Sequence, residues 1–361
     1  MAHITEPTRR QFLAASSAVL GGAAIASVAG CSNSGTSSSA KDVVYAGFGG
    51  TYDQNVKKYI FTPFTRKTGV TVTMTADAPD PIAPIQAQVN SGHPEWDFMI
   101  LNTATLAESI RDNLLQKVDY SKIPNAKYLA VSGYRNPYGP SLWVFSSNIC
   151  WNTKVVKQPL GGWTDFWDLK KFPGKRCLPN DDPLKVLSAA LLADGVAPAD
   201  LFPLNVDRAL SSLDRIKSST VFLDINTETN QLAQQDIVIA LQNVTRIKLA
   251  IKDNIPLAYN WNQYLCDVST YGLLRGAAHA DNYYLLTNFV LSDQVQSIQP
   301  TEFGYTPATT TAISGVPASL AGDLPASAVT GPQAVHLSAF AVDWASEGEA
   351  ATKAFTSWLQ S

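Results

Sequence analysis

The stretch KDVVYAGFGGTYDQNVKKYIFTPFTRKTGVTVTM, residues 41–74, decides the fold. Residues 43–46 form a short apolar run that reads as a buried strand, closed by Gly47-Phe48-Gly49-Gly50. Over 54–66 the side chains Val56, Tyr59, Ile60 and Phe64 recur at helical spacing on one face, and 70–74 returns to strand. Outward from there, Ile82, Ile85 and Val89 mark a short helix, 97–101 a strand and 106–114 a helix. Strands and helices in alternation predict an α/β unit around a largely parallel sheet. A second series follows the aromatic stretch 134–145. Its predicted strands are 149–152, 176–178, 221–223, 237–241, 255–260 and 268–274. Helical character falls at 163–169, 183–193, 206–217, 244–252, 280–291, 294–299 and 348–359, while the Thr/Ala/Pro/Ser-rich 306–330 reads as a surface loop.

About 320 residues beyond the N-terminal leader exceed one comfortable core, so two lobes are expected. Without residues 1–30 the chain keeps 25 basic and 29 acidic side chains, a net charge of −4 that argues against nucleic acid as a partner. Cys150 and Cys177 fall in predicted strands, which leaves either one disulfide or buried free thiols, with Cys266 apart. His93, His279 and His336 are scattered, and no metal or cofactor is expected. Gly47-Phe48-Gly49 starts like a nucleotide loop, but the glycine that G-x-G-x-x-G requires at position 52 is Tyr52.

The N-terminus reads as an address. Thr8-Arg9-Arg10-Gln11-Phe12-Leu13 is a twin-arginine signal, followed by a mildly apolar stretch to residue 29 that is short for a spanning helix. Val28-Ala29-Gly30-Cys31 resembles the bacterial lipobox. Residues 1–30 are thus expected to be a twin-arginine lipoprotein signal peptide. Residues 31–41 would be the lipidated Cys31 and a flexible tether, of which 32–40 span roughly 16 Å. The expected location is the extracytoplasmic face of a bacterial membrane.

Several blocks resemble the spermidine/putrescine-type solute-binding proteins of ABC importers. They are Trp96-Asp97-Phe98-Met99-Ile100 with Leu114-Leu115-Gln116-Lys117-Val118-Asp119, Trp163 to Asp168 with Phe172-Pro173-Gly174-Lys175, Asn180-Asp181-Asp182-Pro183, and Asn288 to Ser292 with Gly304-Tyr305-Thr306-Pro307. The resemblance implies a type II periplasmic-binding-protein fold, α/β and two-lobed, each lobe a sheet flanked by helices with a ligand cleft between. Lobe one would be 42–144 plus 269–301, and lobe two 145–268 plus 302–361. It further implies a monomeric, non-enzymatic binder that delivers a small solute to permease and ATPase subunits.

On that resemblance Phe48 and Tyr52 stand where an aromatic clamp is expected, and Asn102 and Thr103 where small polar contacts are. Asp182 keeps the first of two carboxylates that hold an ammonium in polyamine binders, but Lys185 replaces the second. Thr270 aligns with a further carboxylate and Gln242 with a cleft tryptophan. Desolvating an ammonium without paired carboxylates costs several kcal/mol, so a polyamine is not the expected solute. Asp182 before Pro183 is also a good helix N-cap. Lys185 in the first turn opposes the helix dipole by ~0.3–1 kcal/mol, which either Asp182 or an anionic or zwitterionic solute relieves. Arg246 is a second candidate cation, and Tyr271 and Tyr305 lie near expected crossings between lobes. The alternatives are a ferric-ion binder built on tyrosines, a ligand-presenting sensory module and a hydrolase using Asp181 and Asp182.

Overall fold

The computed structural model describes residues 41–77, 82–130, 132–325 and 334–361; the signal, Cys31 and the tether up to residue 40 lie outside them. Among the described residues twelve strands make one sheet system: β1 (Asp42–Gly47), β2 (Thr71–Asp77), β3 (Phe98–Leu101), β4 (Arg135–Asn136), β5 (Gly139–Asn152), β6 (Arg176–Pro179), β7 (Thr220–Leu223), β8 (Ile239–Asn243), β9 (Leu257–Tyr259), β10 (Leu265–Leu273), β11 (Thr306–Pro307) and β12 (Val335–His336). The main order is β2-β1-β3-β10-β5-β8-β6-β7. The trio β2-β1-β3 is parallel and so is β8-β6-β7, whereas β10 and β5 join them through antiparallel pairs.

The sequence pattern explains the trios. Phe98-Met99-Ile100-Leu101 is buried throughout, as a strand covered on both faces must be. One apolar cluster gathers Val43, Phe64, Phe98, Leu142, Tyr271 and Phe289. Another gathers Ile149, Trp163, Leu187, Leu213, Leu241 and Trp344. Trp163 and Trp167 serve packing there, their indole N–H groups donating to the carbonyls of Gln263 and Ser212.

Several expectations need correction. The sheet is mixed, because its two central strands run against their neighbours. β5 starts ten residues before the predicted strand at 149, since 142–144 is buried on both faces and shows no alternation to read. Segment 306–330 is not simply a loop: it holds β11, whose Thr306 and Pro307 are buried against β5, and helices Thr310–Ser314 and Ala318–Ala321. The closing helix is Ala341–Gln360, starting seven residues earlier than expected. The helix at 54–66 extends over 50–68 and carries a π-helical segment, Lys57–Phe61.

Register also decides the cysteines. Cys150 on β5 and Cys177 on β6 both pair with Ala240 on β8, from opposite sides. Two strand spacings put their Cα atoms roughly 9.5 Å apart, beyond the ~7 Å reach of a disulfide. Both are buried free thiols, as is Cys266. A thiol reagent is therefore expected to leave all three unmodified in the native protein and to label all three after denaturation. Native labelling of Cys150 or Cys177 would contradict this placement.

Candidate functional site

Five strands of the two trios end at one place. After β1 come Phe48 and Tyr52, after β3 Asn102 and Thr105, after β6 Asp181, Asp182 and Lys185, after β7 Asp224 and Glu228, and after β8 Arg246. All of them line a single cavity of about 210 Å³, to which β5 adds Phe145 and Ser147 and β10 adds Ser269. Ligands of open α/β sheets bind at such carboxyl ends, where loops and helix starts converge.

The helix starts are held by their own caps. Asn102 Oδ1 accepts from the Thr105 N–H (2.9 Å), Asp182 Oδ1 from the Lys185 N–H (3.1 Å) and Asn243 Oδ1 from the Thr245 N–H (2.9 Å). The second Asp182 oxygen takes the Lys185 ammonium at 2.5 Å, with both side chains nearly buried. Burial works against the lysine's charge, yet Asp182 and Asp267 hold its pKa above the usual value. Its ammonium also lies 5.4 Å from the Phe145 ring centre. The positive charge of Lys185 is thus consumed within the wall.

Arg246 differs. It sits in the first turn of the helix Val244–Lys252, half-buried, and no hydrogen bond or ion pair joins its guanidinium to another described residue. Burial lowers its pKa, with the fields of Tyr305, Glu228 and Asp224 opposing that. Opposite in sign stand the groups that follow β6 and β7. Asp181 is open to solvent through the cavity, yet surrounding protein, then the charge of Asp182, push its pKa up to about 6. Glu228 is 1% exposed, its Oε1 has no hydrogen-bond partner, and burial raises its pKa well above its usual value, with the field of Arg246 opposing. An aromatic wall completes the site. Tyr305 stacks between Trp143 (6.0 Å) and Phe303 (5.8 Å), and Tyr52 meets Phe303 edge-on.

Seven residues singled out from sequence line this cavity: Phe48, Tyr52, Asn102, Asp182, Lys185, Arg246 and Tyr305. Four do not. Gln242 lies between Leu241 and Asn243, which face the cavity; strand alternation turns it away, and its Oε1 accepts from the Asn243 N–H. Thr270 follows the cavity residue Ser269 on β10 and is likewise turned into the fold. Tyr271 is wholly buried, packed against Phe98 and Trp143. Thr103 points inward and donates to the Asp267 carboxylate. Asp224, Glu228 and Asn243 were missed. A carboxylate directly after a predicted strand, with another four residues on, was the available signal.

The family model described as bacterial extracellular solute-binding protein matches residues 60–326. A gamma-aminobutyric acid-binding protein of Pseudomonas aeruginosa is 27% identical over 86% of this chain and 89% of its own. Among solved structures, an ABC transporter substrate-binding protein from Bradyrhizobium japonicum is 30% identical, with TM-score 0.81 over 88% of this chain and 99% of that one. The Agrobacterium tumefaciens protein AgtB, solved with agropinic acid, is 28% identical, with TM-score 0.80 over 89% and 99%. The cavity at the strand ends and these matches across most of its length agree: the chain belongs to the bacterial extracellular solute-binding proteins, extracytoplasmic, non-enzymatic partners of an ABC importer's permease and ATPase that bind a small solute.

Proposed function

We propose that the solute is a small zwitterion, an amino-carboxylate, held with its carboxylate on Arg246. The observation that carries this is the guanidinium without a bonded partner in a cavity that also presents carboxyl groups and aromatic rings, the other lining cation, Lys185, being paired with Asp182. A planar fork of donors suits a carboxylate, and the acidic groups after β6 and β7 suit an ammonium. A volume of about 210 Å³ is below the roughly 300–1,000 Å³ of drug-sized sites, which favours a solute of amino-acid size. The names of the P. aeruginosa relative and of AgtB's ligand both denote carboxylic acids, which supports the reading. Polyamines fit less well, because Asp182 is already neutralised by Lys185.

Capture proceeds by closure of two lobes, 42–144 plus 269–301 and 145–268 plus 302–361, since groups following both parallel trios border the cavity. The protein acts as a monomer, exported by the twin-arginine route on the signal around Arg9-Arg10 and held to the membrane by lipid on Cys31.

Thermal unfolding of the purified protein tests the solute class. A bound ligand such as 4-aminobutanoate at about 100 times its dissociation constant is expected to add ~2.7 kcal/mol of apparent stability, while putrescine leaves the midpoint unchanged. Stabilisation by putrescine and by no amino-carboxylate would sink the assignment.

A further inference from the structure

Glu228 is the most deeply buried carboxyl group of the cavity wall. It lies in the helix Ile225–Gln234, one turn beyond Asp224, and lines the cavity with an Oε1 that no donor satisfies. The groups facing it are few. β6 presents the Cys177 thiol and, past its end, Asp181; β5 presents Cys150; the helix Val244–Lys252 presents Arg246; Asp224 stands at the start of its own helix. β8, packed against the same helix, carries no titratable side chain. Arg246 is the one cation in this set, and no ion pair joins it to Glu228. The field of Arg246 and the Cys177 thiol favour its charge, but burial, with the charges of Asp181 and Asp224, outweighs them until a cation docks against it.

We infer that Glu228 receives the solute's ammonium and surrenders a proton as it does so, so that capture tightens with rising pH. The inference rests on the proposed amino-carboxylate reading and adds its proton stoichiometry. In the empty cavity the carboxyl O–H is intact, which agrees with the upward shift that burial imposes. When the ammonium docks against the carboxyl group, the O–H bond breaks heterolytically. The proton passes to solvent, and carboxylate and ammonium remain as an ion pair. The sign follows from linkage: the empty protein holds more protons than the complex, so the association constant rises with pH, by up to about tenfold per unit, until Glu228 ionises unaided. Asp181, with its pKa near 6, adds a second release at lower pH.

Calorimetry with 4-aminobutanoate, run in buffers of different ionisation enthalpy, measures the proton directly. Wild type is expected to release up to one proton per ligand over the pH range in which the free Glu228 carboxyl group is protonated, and Glu228→Gln none over that range. The variant should bind at least about tenfold more weakly, with an affinity that no longer climbs with pH above the Asp181 range. Asp181→Asn should keep the Glu228 release and lose the one centred near pH 6. Infrared spectroscopy of the empty protein supplies a readout without ligand: the band of a protonated carboxylic acid, absent in Glu228→Gln. Glutamine is isosteric and neutral, so the variant folds, and its thermal midpoint checks that. Binding by wild type without proton release, or with unchanged affinity in Glu228→Gln, overturns the inference and leaves the amino-carboxylate reading standing. Failure of 4-aminobutanoate and of longer ω-amino acids to bind overturns both.

Discussion

Arg246→Ala is expected to abolish useful capture of carboxylate-bearing solutes. Truncating one partner of a desolvated charge pair typically removes about 2–5 kcal/mol, or roughly thirtyfold to several thousandfold in affinity. The guanidinium makes no bond to another described residue in the empty protein, so the fold loses little with it. The thermal midpoint without ligand should stay near that of wild type. Arg246→Lys restores the charge but not the two-pronged geometry, and should recover only part of the loss. Calorimetry with 4-aminobutanoate decides the matter: unchanged affinity in Arg246→Ala would remove the carboxylate from this wall. Lys185→Ala provides the contrast. It frees Asp182 and leaves an unpaired carboxylate in the wall, so its main effect should be on stability and on cation preference.

The second large effect is structural. Arg176→Ala should destabilise the protein by about 3–5 kcal/mol, because it removes a large buried side chain and leaves buried backbone carbonyls without donors. Arg176 begins β6 and is wholly buried. Its guanidinium donates to four backbone carbonyls, those of Phe166 (2.7 Å), Gly174 (2.6 Å), Asp168 (3.0 Å) and Phe172 (2.5 Å). Burial lowers its pKa to about 10, which leaves it charged throughout the physiological range. Alanine would strand those oxygens without donors, and a buried unsatisfied polar group costs about 1–3 kcal/mol. Lysine cannot span the four acceptors and should rescue little. Denaturant unfolding reads the result, and a midpoint equal to wild type would show that the turn over 166–174 holds without this side chain.

How much of this was legible in sequence depended on period and on chain distance. The strand–helix alternation from residue 43 onward was plain, and Asp182-Pro183 announced a helix start that the structure bears out. Residues just past predicted strands, Phe48, Tyr52 and Asn102, reached the cavity because strand ends are easy to locate. Gln242 and Thr270 were misplaced by one residue in strands of period two, an error that turns a side chain to the opposite face. Placing Glu228 at the cavity needed the helix at 225–234 to be recognised, and the polar run Asn226-Thr227-Glu228-Thr229-Asn230 gives it little apolar periodicity. Arg176 was read only as the first residue of a strand. Its four acceptors come from a turn whose path the sequence does not disclose.

β5 carries a mechanical consequence. Over fourteen residues it is hydrogen-bonded to strands β4, β8, β9, β10 and β11, and so stitches one parallel trio to the other without a break. On the proposed closure, rotation of one trio against the other would wring this strand and β10 along their length, adding to the natural twist of the sheet. The load is shared among many hydrogen bonds and concentrated in no single swivel. Under the closure proposed above, the seam would act as a torsion spring, its restoring torque opposing the displacement and favouring reopening.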